Sequence, residues 1–454
     1  MTSYFAADAL LPTGWARDVR IDVDADGTFS AVVAGADAAG AERLAGPALP
    51  GMANLHSHAF QRAMAGLTEV RGAPEDDFWT WREIMYRFAL GLTPDQALAI
   101  ARHLYIEMLR HGYTAVGEFH YLHNDGRGTP YAPPETMLAA HLAAAREAGI
   151  AAALLPSLYA WGNFGGVPLA PRQRRFTSDP RGMLDMVAAL RREIGADPDF
   201  TVGVAPHSLR AVDPGQLREL VAGLPADAPI HIHVAEQMRE VDDCLAWSGR
   251  RPVEWLFENM APDKRWCLVH ATHMNEDERL GLARSGAVAG LCPTTEGNLG
   301  DGIFPLAAYR TAGGRYGIGG DSHVSRDPAE ELRLLEYGQR LVGHKRNRVA
   351  GPVSEAVGTT LWLDAAGGGA QALGRAMGAI AVGRRADLAV LDADHPDLTA
   401  RRGDDAANAL VFSGARDMVR DVMVGGLWRV RAGVHPRQES AARDYRAALT
   451  TLLA

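Results

Sequence analysis

The segment "GMANLHSHAFQRAM" sets His56 and His58 on either side of one serine. Side chains alternate across a strand, so positions i and i+2 face the same way. Two imidazoles side by side suit a metal ion, or else they are a pair of surface histidines. Other polar residues close other apolar runs in the same manner. His120 and Tyr121 follow "TAVGEF", His207 and Arg210 follow "TVGVAP", and His233 and Glu236 end "PIHIHVAE". His270 lies in "WCLVHAT" and Asp321 in "YGIGGDS". Scattered surface histidines would not keep that register. Three nitrogen ligands and one carboxylate suit zinc, with a coordination position left for water or substrate. Iron(II) accepts the same donors.

The elements that must position these residues repeat along the chain. Short apolar runs occur at 53–58, 114–119, 151–159, 201–208, 229–236, 266–272, 287–293 and 316–322, with helical patterns between them. Near-continuous apolar strands separated by helices mark a parallel sheet buried on both faces. Eight such units predict an α/β fold of the (β/α)8 TIM-type barrel class, whose active sites lie at the C-terminal strand ends. "LTPDQALAIARHLYIEMLRHG" shows a well-formed connecting helix: Thr93 as cap, Pro94 at the first position, and Gly112 as the stop. The first strand is followed by a longer insertion, "AGLTEVRGAPEDDFWTWREIMYRF", read as a loop plus a short helix over the barrel mouth.

Both chain ends read as strands joined by tight turns: "RDVRIDVDADGTFSAVVAG", then "GAIAVGRRADLAVLDADHP" and "DMVRDVMVGGLWRVRAG". Neither end has enough strands for a fold of its own. The economical division pairs them: residues 1–48 and 373–454 form a small β domain with a C-terminal tail helix, beside a barrel of residues 49–372.

Composition excludes several classes. A chain of 454 residues with 47% hydrophobic and 22% charged residues is an ordinary globular one. Its net charge of −9 argues against a nucleic-acid partner. The sequence contains no apolar stretch long enough to span a membrane and no secretory signal pattern. Three dispersed cysteines, Cys244, Cys267 and Cys292, fit free thiols in the cytoplasm. Lys264 and Lys345 are the only lysines, and neither falls on a barrel run.

The set "NLHSH", "HIHVAE", "LVHATHM" and "GIGGDSH" resembles the amidohydrolase superfamily, whose members are metal-dependent (β/α)8 barrels with a small β domain. The resemblance covers nearly the whole chain. It implies His56, His58, His233 and Asp321 as metal ligands; His231 also points inward, but the family's ligand immediately precedes "VAE". Binuclear members bridge two metals with a carboxylated lysine on a central strand, which "TVGVAPHSL" lacks, so one metal, Zn2+ or Fe2+, is expected per subunit. Mononuclear members with this pattern are mostly deaminases. The roles that follow give Asp321 the orientation of the attacking water and His270 a hydrogen bond to it as a helper base. Glu236 is then placed to protonate departing ammonia. A homodimer is also implied.

The substrate side rests on Gln61, Arg82, Tyr121, His207 and Arg210. Two arginines at the mouth of an acidic protein suit a carboxylate, which a planar guanidinium grips in bidentate fashion. "NLHSHAFQRAMAG", "FHYLH", "APHSLRAV", "HIHVAEQ" and "CPTTEGNLGDGIFP" together resemble superfamily members that hydrolyse a linear N-formimino dicarboxylate. By that resemblance Gln61 and Arg210 hold the α-carboxylate, while Arg82, Tyr121 and His207 hold the side-chain carboxylate. Two other readings stay open. One is a deaminase of a purine, pterin or triazine ring, for which Trp79 and Trp81 would stack. The other is a non-catalytic scaffold on the same fold.

Overall fold

The computed structural model describes residues 1–71, 77–413 and 417–454. Parallel strands close into a barrel with eight positions. In chain order they are Met52–Ser57, Tyr113–His120, Ala151–Leu158, a fourth in two pieces (Phe200–Val202 and Ala205–Pro206), Ile230–Val234, Trp266–His270, Val288–Leu291 and Arg315–Ile318. The ring closes where Ile318 pairs with Asn54 and Asp321 with Ser57. Across the fourth and fifth positions, Val204 pairs with Ile230 and Ser208 with His233. Each of the eight apolar runs supplies one strand position. Most of these strands are buried along their whole length. Burial on both faces is why they read as continuous apolar runs instead of alternating ones.

Helix Pro94–Arg110 begins as its sequence indicates. The Thr93 hydroxyl accepts from the Gln96 N–H at 3.3 Å, and the Gln96 side chain accepts from the Thr93 N–H at 2.9 Å, so two otherwise orphaned donors are satisfied. The insertion after the first strand holds a short 3-10 turn, Ala59–Met64, and then a helix of 14 residues, Phe78–Gly91. This helix is longer than the short one expected. Residues 72–76 of the insertion, covered by the same expectation, lie outside the described residues. Asp77 caps the helix by accepting from the N–H groups of Trp79 and Thr80. Phe78, Trp81, Arg82, Met85 and Tyr86, at helical spacing, face the barrel mouth.

The chain ends meet in a second sheet. Its order is Leu427–Val430, Val419–Val424, Leu388–Leu391, Ala48–Pro50, Thr2–Leu11, Gly14–Val23 and Phe29–Val33, with Glu42–Arg43 beside Thr2–Leu11. Val19, Ile21, Phe29, Leu388, Val390 and Met423 fill its core. Of "GAIAVGRRADLAVLD", only Leu388–Leu391 is a strand. The part before it bends through Gly378 and Gly383, both at positive φ, and touches the sheet through the Gly383 N–H on Phe29 O at 2.9 Å. A buried charge network ties this connection to the barrel. Arg375 bonds Asp387 and Asp199, and Arg385 bonds Asp199, which precedes the fourth barrel strand. The tail helix Gln438–Leu453 leaves the sheet and packs on Pro94–Arg110, with Tyr445 stacked on His103 at 4.5 Å. Among the described residues, no helix is long and apolar enough to cross a membrane.

Candidate metal centre and active-site cleft

Four side chains from the ends of three barrel strands converge. His233 Nε2 lies 3.1 Å from His56 Nε2 and 3.3 Å from His58 Nε2. Asp321 Oδ1 stands 3.6 and 3.5 Å from the same two nitrogens. The other ring nitrogens settle the tautomers. His58 Nδ1 is 2.7 Å from Phe119 O, and His233 Nδ1 is 2.9 Å from His207 O. A carbonyl only accepts, so each Nδ1 carries the hydrogen and each Nε2 presents a lone pair. Lone pairs that close, with no proton between them, fit a cation. Burial pushes the His56 ring down to about 3 and lowers His58 and His233 as well, so all three favour the neutral imidazole. Asp321 stays ionised: burial raises it, but His56, His58 and His270 outweigh that and hold it below the usual carboxylate range. The eighth strand can come this close only because Gly319 lacks a side chain, since a Cβ there would sit 2.8 Å from the Cβ of His56.

His270 and Glu236 stand beside this cluster. His270 Nε2 is 3.7 Å from Glu236 Oε1 and 3.7 Å from Asp321 Oδ2, while its Nδ1 is 3.2 Å from Glu296 Oε1. Burial would lower His270, yet Glu236, Glu296 and Asp321 raise it to about 10. Glu236 is pushed up, chiefly by burial, against the pull of His270 and Arg210. Its carboxyl thus takes up a proton more readily than a free one. His270 and Asp321 both hold left-handed backbone, at φ 65° and 49°. That conformation costs about 1–3 kcal/mol per residue and persists only where the surroundings enforce it, as they commonly do at active sites.

Above the cluster opens a cleft of about 530 Å³. Arg210, nearly buried, holds its Nη2 3.9 Å from Glu236 Oε2. Burial would lower its guanidinium, but Glu240 and Glu236 outweigh this and raise it. Arg82 enters from the insertion helix with its charge over the Trp79 ring at 4.5 Å. The Nε atoms of Arg82 and Arg210 are buried without a hydrogen-bond partner. The Gln61 amide donates to Tyr121 Oη at 2.8 Å and leaves its own carbonyl oxygen unpartnered. His207 completes the wall, its ring 4.5 Å from that of Tyr159 and its charge disfavoured by burial and by Arg210.

His58, His233, Asp321, Glu236, His270, Gln61, Arg82, Tyr121, His207 and Arg210 all line the cleft, and His56 lies at its floor. His120 does not join them. Its Nε2 bonds Leu122 O at 3.0 Å, and its ring packs on His141 outside the barrel, because it is one residue out of phase with the inward face. His231 bonds Ala372 O at the opposite end of its strand. Sequence reasoning passes over Glu296, which holds His270, and over Glu118. Burial raises the Glu118 carboxyl to about 7, and it accepts from Ser57 Oγ at 2.6 Å, Tyr105 Oη at 2.9 Å and the Ala59 N–H at 2.9 Å. Glu118 thus pins both sides of His58. A lone Glu inside the apolar run "TAVGEF" was the available signal. Phe78, Met85, Tyr86, Tyr159 and Phe176, which also line the cleft, carry no such signal.

Comparison with known proteins agrees with this geometry. Residues 48–429 match the amidohydrolase family, and residues 1–46 match the N-terminal domain of formimidoylglutamate deiminase HutF. Formimidoylglutamate deiminase of Pseudomonas aeruginosa is 54% identical over 453 residues, covering 100% of both chains. A 5-methylthioadenosine/S-adenosylhomocysteine deaminase of Natronomonas pharaonis is 30% identical over 89% of this chain and 87% of its own. An amidohydrolase crystal structure from Brucella melitensis superposes with a TM-score of 0.95 at 46% identity, covering 100% of each chain. The chain belongs to the amidohydrolase family, in its formimidoylglutamate deiminase group.

Proposed function

We propose that this enzyme hydrolyses N-formimino-L-glutamate to N-formyl-L-glutamate and ammonia, the deimination step of histidine degradation. The observation that carries the reading is one cleft joining a cluster of neutral imidazole lone pairs to two arginines whose Nε atoms lack partners. The full-length formimidoylglutamate deiminase relative supports it. His56, His58, His233 and Asp321 would hold one metal ion per subunit, Zn2+ first, since imidazole and carboxylate are zinc donors, with Fe2+ as the alternative. When bound, it acidifies water and so supplies a nucleophile near neutral pH.

The chain's own residues do the rest. Asp321, ionised and 3.7 Å from His270, orients the attacking water and takes its proton. His270, 3.7 Å from both Asp321 and Glu236, hydrogen-bonds the attacking oxygen and helps as general base. Glu236, whose carboxyl burial raises, meets the imine nitrogen and delivers the proton that lets ammonia leave. Gln61 and Arg210 hold the α-carboxylate, and Arg82, Tyr121 and His207 hold the side-chain carboxylate. Paired arginines favour this dicarboxylate. The aromatic wall of Phe78, Trp81 and Tyr86 supports a ring-deaminase reading as second choice.

Residues 49–372 form the catalytic barrel in this reading, with 1–48 and 373–454 as the supporting β domain and tail helix. A cytoplasmic homodimer completes it, in keeping with three buried free cysteines. Ammonia release from N-formimino-L-glutamate by zinc-loaded protein tests the reaction. Release from guanine or adenosine alone would replace it with ring deamination.

A further inference from the structure

We infer that Trp79 is a specificity-determining positioning residue: its indole spaces the two carboxylate-gripping guanidiniums and so sets the length of dicarboxylate accepted. The inference rests on the assignment of Arg82 and Arg210 to the two carboxylates.

Trp79 occupies the first turn of helix Phe78–Gly91 and does not itself line the cleft. Three guanidinium carbons stand near its ring: Arg82 at 4.5 Å, Arg239 at 4.6 Å and Arg210 at 5.8 Å. They come from three separate elements, the insertion helix, the helix Met238–Ser248 and the segment after the fourth barrel strand. Like charges this near one another repel, and the face of an aromatic ring attracts each of them. Among the described residues, no carboxylate lies within ion-pair distance of Arg82, whereas Arg210 has Glu236 at 3.9 Å. The indole is thus a ring that both Arg82 and Arg210 approach, while Arg82 also stands 5.4 Å from the Tyr86 ring. Both keep an unpartnered buried Nε, and both line the cleft.

This geometry bears on length. Arg210 follows the fourth barrel strand and has Glu236, after the fifth, at 3.9 Å, so its position is referred to the barrel. Arg82 is carried by the insertion helix, and its stacking on Trp79 refers it back to Arg210. A dicarboxylate that bridges the two must match their separation. One methylene more or less moves its second carboxylate off the guanidinium. Exposed Arg239 contacts the same indole and holds it against the barrel rim.

The test compares metal-loaded protein with its Trp79→Leu and Trp79→Phe variants. Binding of glutarate and of succinate is measured by calorimetry, with turnover of N-formimino-L-glutamate and N-formimino-L-aspartate alongside. The unsubstituted protein is expected to prefer glutarate. Trp79→Leu should shrink that preference by about tenfold and raise KM for the glutamate compound by about tenfold, with kcat and bound metal little changed. Trp79→Phe, which keeps an aromatic face, should restore most of the preference. A purely structural role for Trp79 would lower kcat and metal content and weaken both diacids alike. No glutarate preference in the unsubstituted protein, or an equal preference in Trp79→Leu, overturns the inference. Absence of formimino turnover by unsubstituted protein would sink the proposed reaction instead, and the diacid comparison would still decide Trp79.

Discussion

At the scale of single residues, the proposed mechanism separates a part that would hold a cation from a part that would move protons. His58 and His233 are locked as lone-pair donors by carbonyls on their far nitrogens, so their ligand character follows from hydrogen bonding alone. Glu236 touches no residue of the proposed ligand set at bonding distance, and burial raises its carboxyl. Glu236→Gln should therefore retain bound zinc, read by metal analysis, and lose kcat by about a hundred- to ten-thousand-fold. Full activity would remove it from proton transfer. Arg210→Met should weaken the hold on the dicarboxylate by ~2–5 kcal/mol, seen as a raised KM with unchanged metal content. Unchanged kinetics would remove Arg210 from the substrate pocket. His56 and His58 were legible as a pair because strand alternation puts i and i+2 on one face, while His233 and Asp321 were singled out by the family resemblance. Glu118 was not, because its partners Ser57, Tyr105 and Ala59 come from other elements that only the folded barrel assembles.

At the scale of elements, the strand ends are held from behind. Replacing Glu118 by Ala would leave the Ala59 N–H without its acceptor, at a cost of about 1–3 kcal/mol, and would leave the Ser57 and Tyr105 hydroxyls only His323 and His141 as partners. Lower stability together with weaker metal retention is expected, since these donors flank His58. Normal metal affinity would show that Glu118 only fills space. The junction of sheet and barrel offers a second test. Asp199 bonds Arg375 and Arg385 at 2.8 Å each. Burial raises its carboxyl, and the two arginines outweigh that and lower it. A lowered folded pKa means the bond stabilises above the ordinary Asp pKa and fades as pH falls through the folded value. Asp199→Asn should therefore be less stable near neutrality, and its deficit should shrink in acid, as read by denaturant unfolding at several pH values. A deficit independent of pH would argue for packing instead of charge. The helices that carry these groups were legible where capping was local, as at Thr93 and Gln96. The segment 378–385 was not, since its apolar spacing suggests a strand while glycines at positive φ turn it away.

At the scale of the whole molecule, both chain ends and the barrel form a support that leaves one face open for chemistry. The (β/α)8 class was readable because eight apolar runs recur with helices between them, and burial on both sides makes that pattern strong. The long insertion helix was harder to read. Its inward face, Phe78, Trp81, Arg82, Met85 and Tyr86, lines the cleft, and Met85 and Tyr86 also sit in a hydrophobic cluster with Phe119, Tyr121 and Phe176, residues that only the fold brings together. Removal of metal by a chelator should abolish turnover with little loss of secondary structure, because the barrel core is packed independently of the four ligands; restored zinc should return activity. The most direct measurement is ammonia release from N-formimino-L-glutamate by purified zinc-loaded protein, with adenosine and guanine in parallel. Release from the formimino compound alone is the expected result. Turnover of a ring substrate in its place would contradict the two-carboxylate cleft while leaving the metal centre intact.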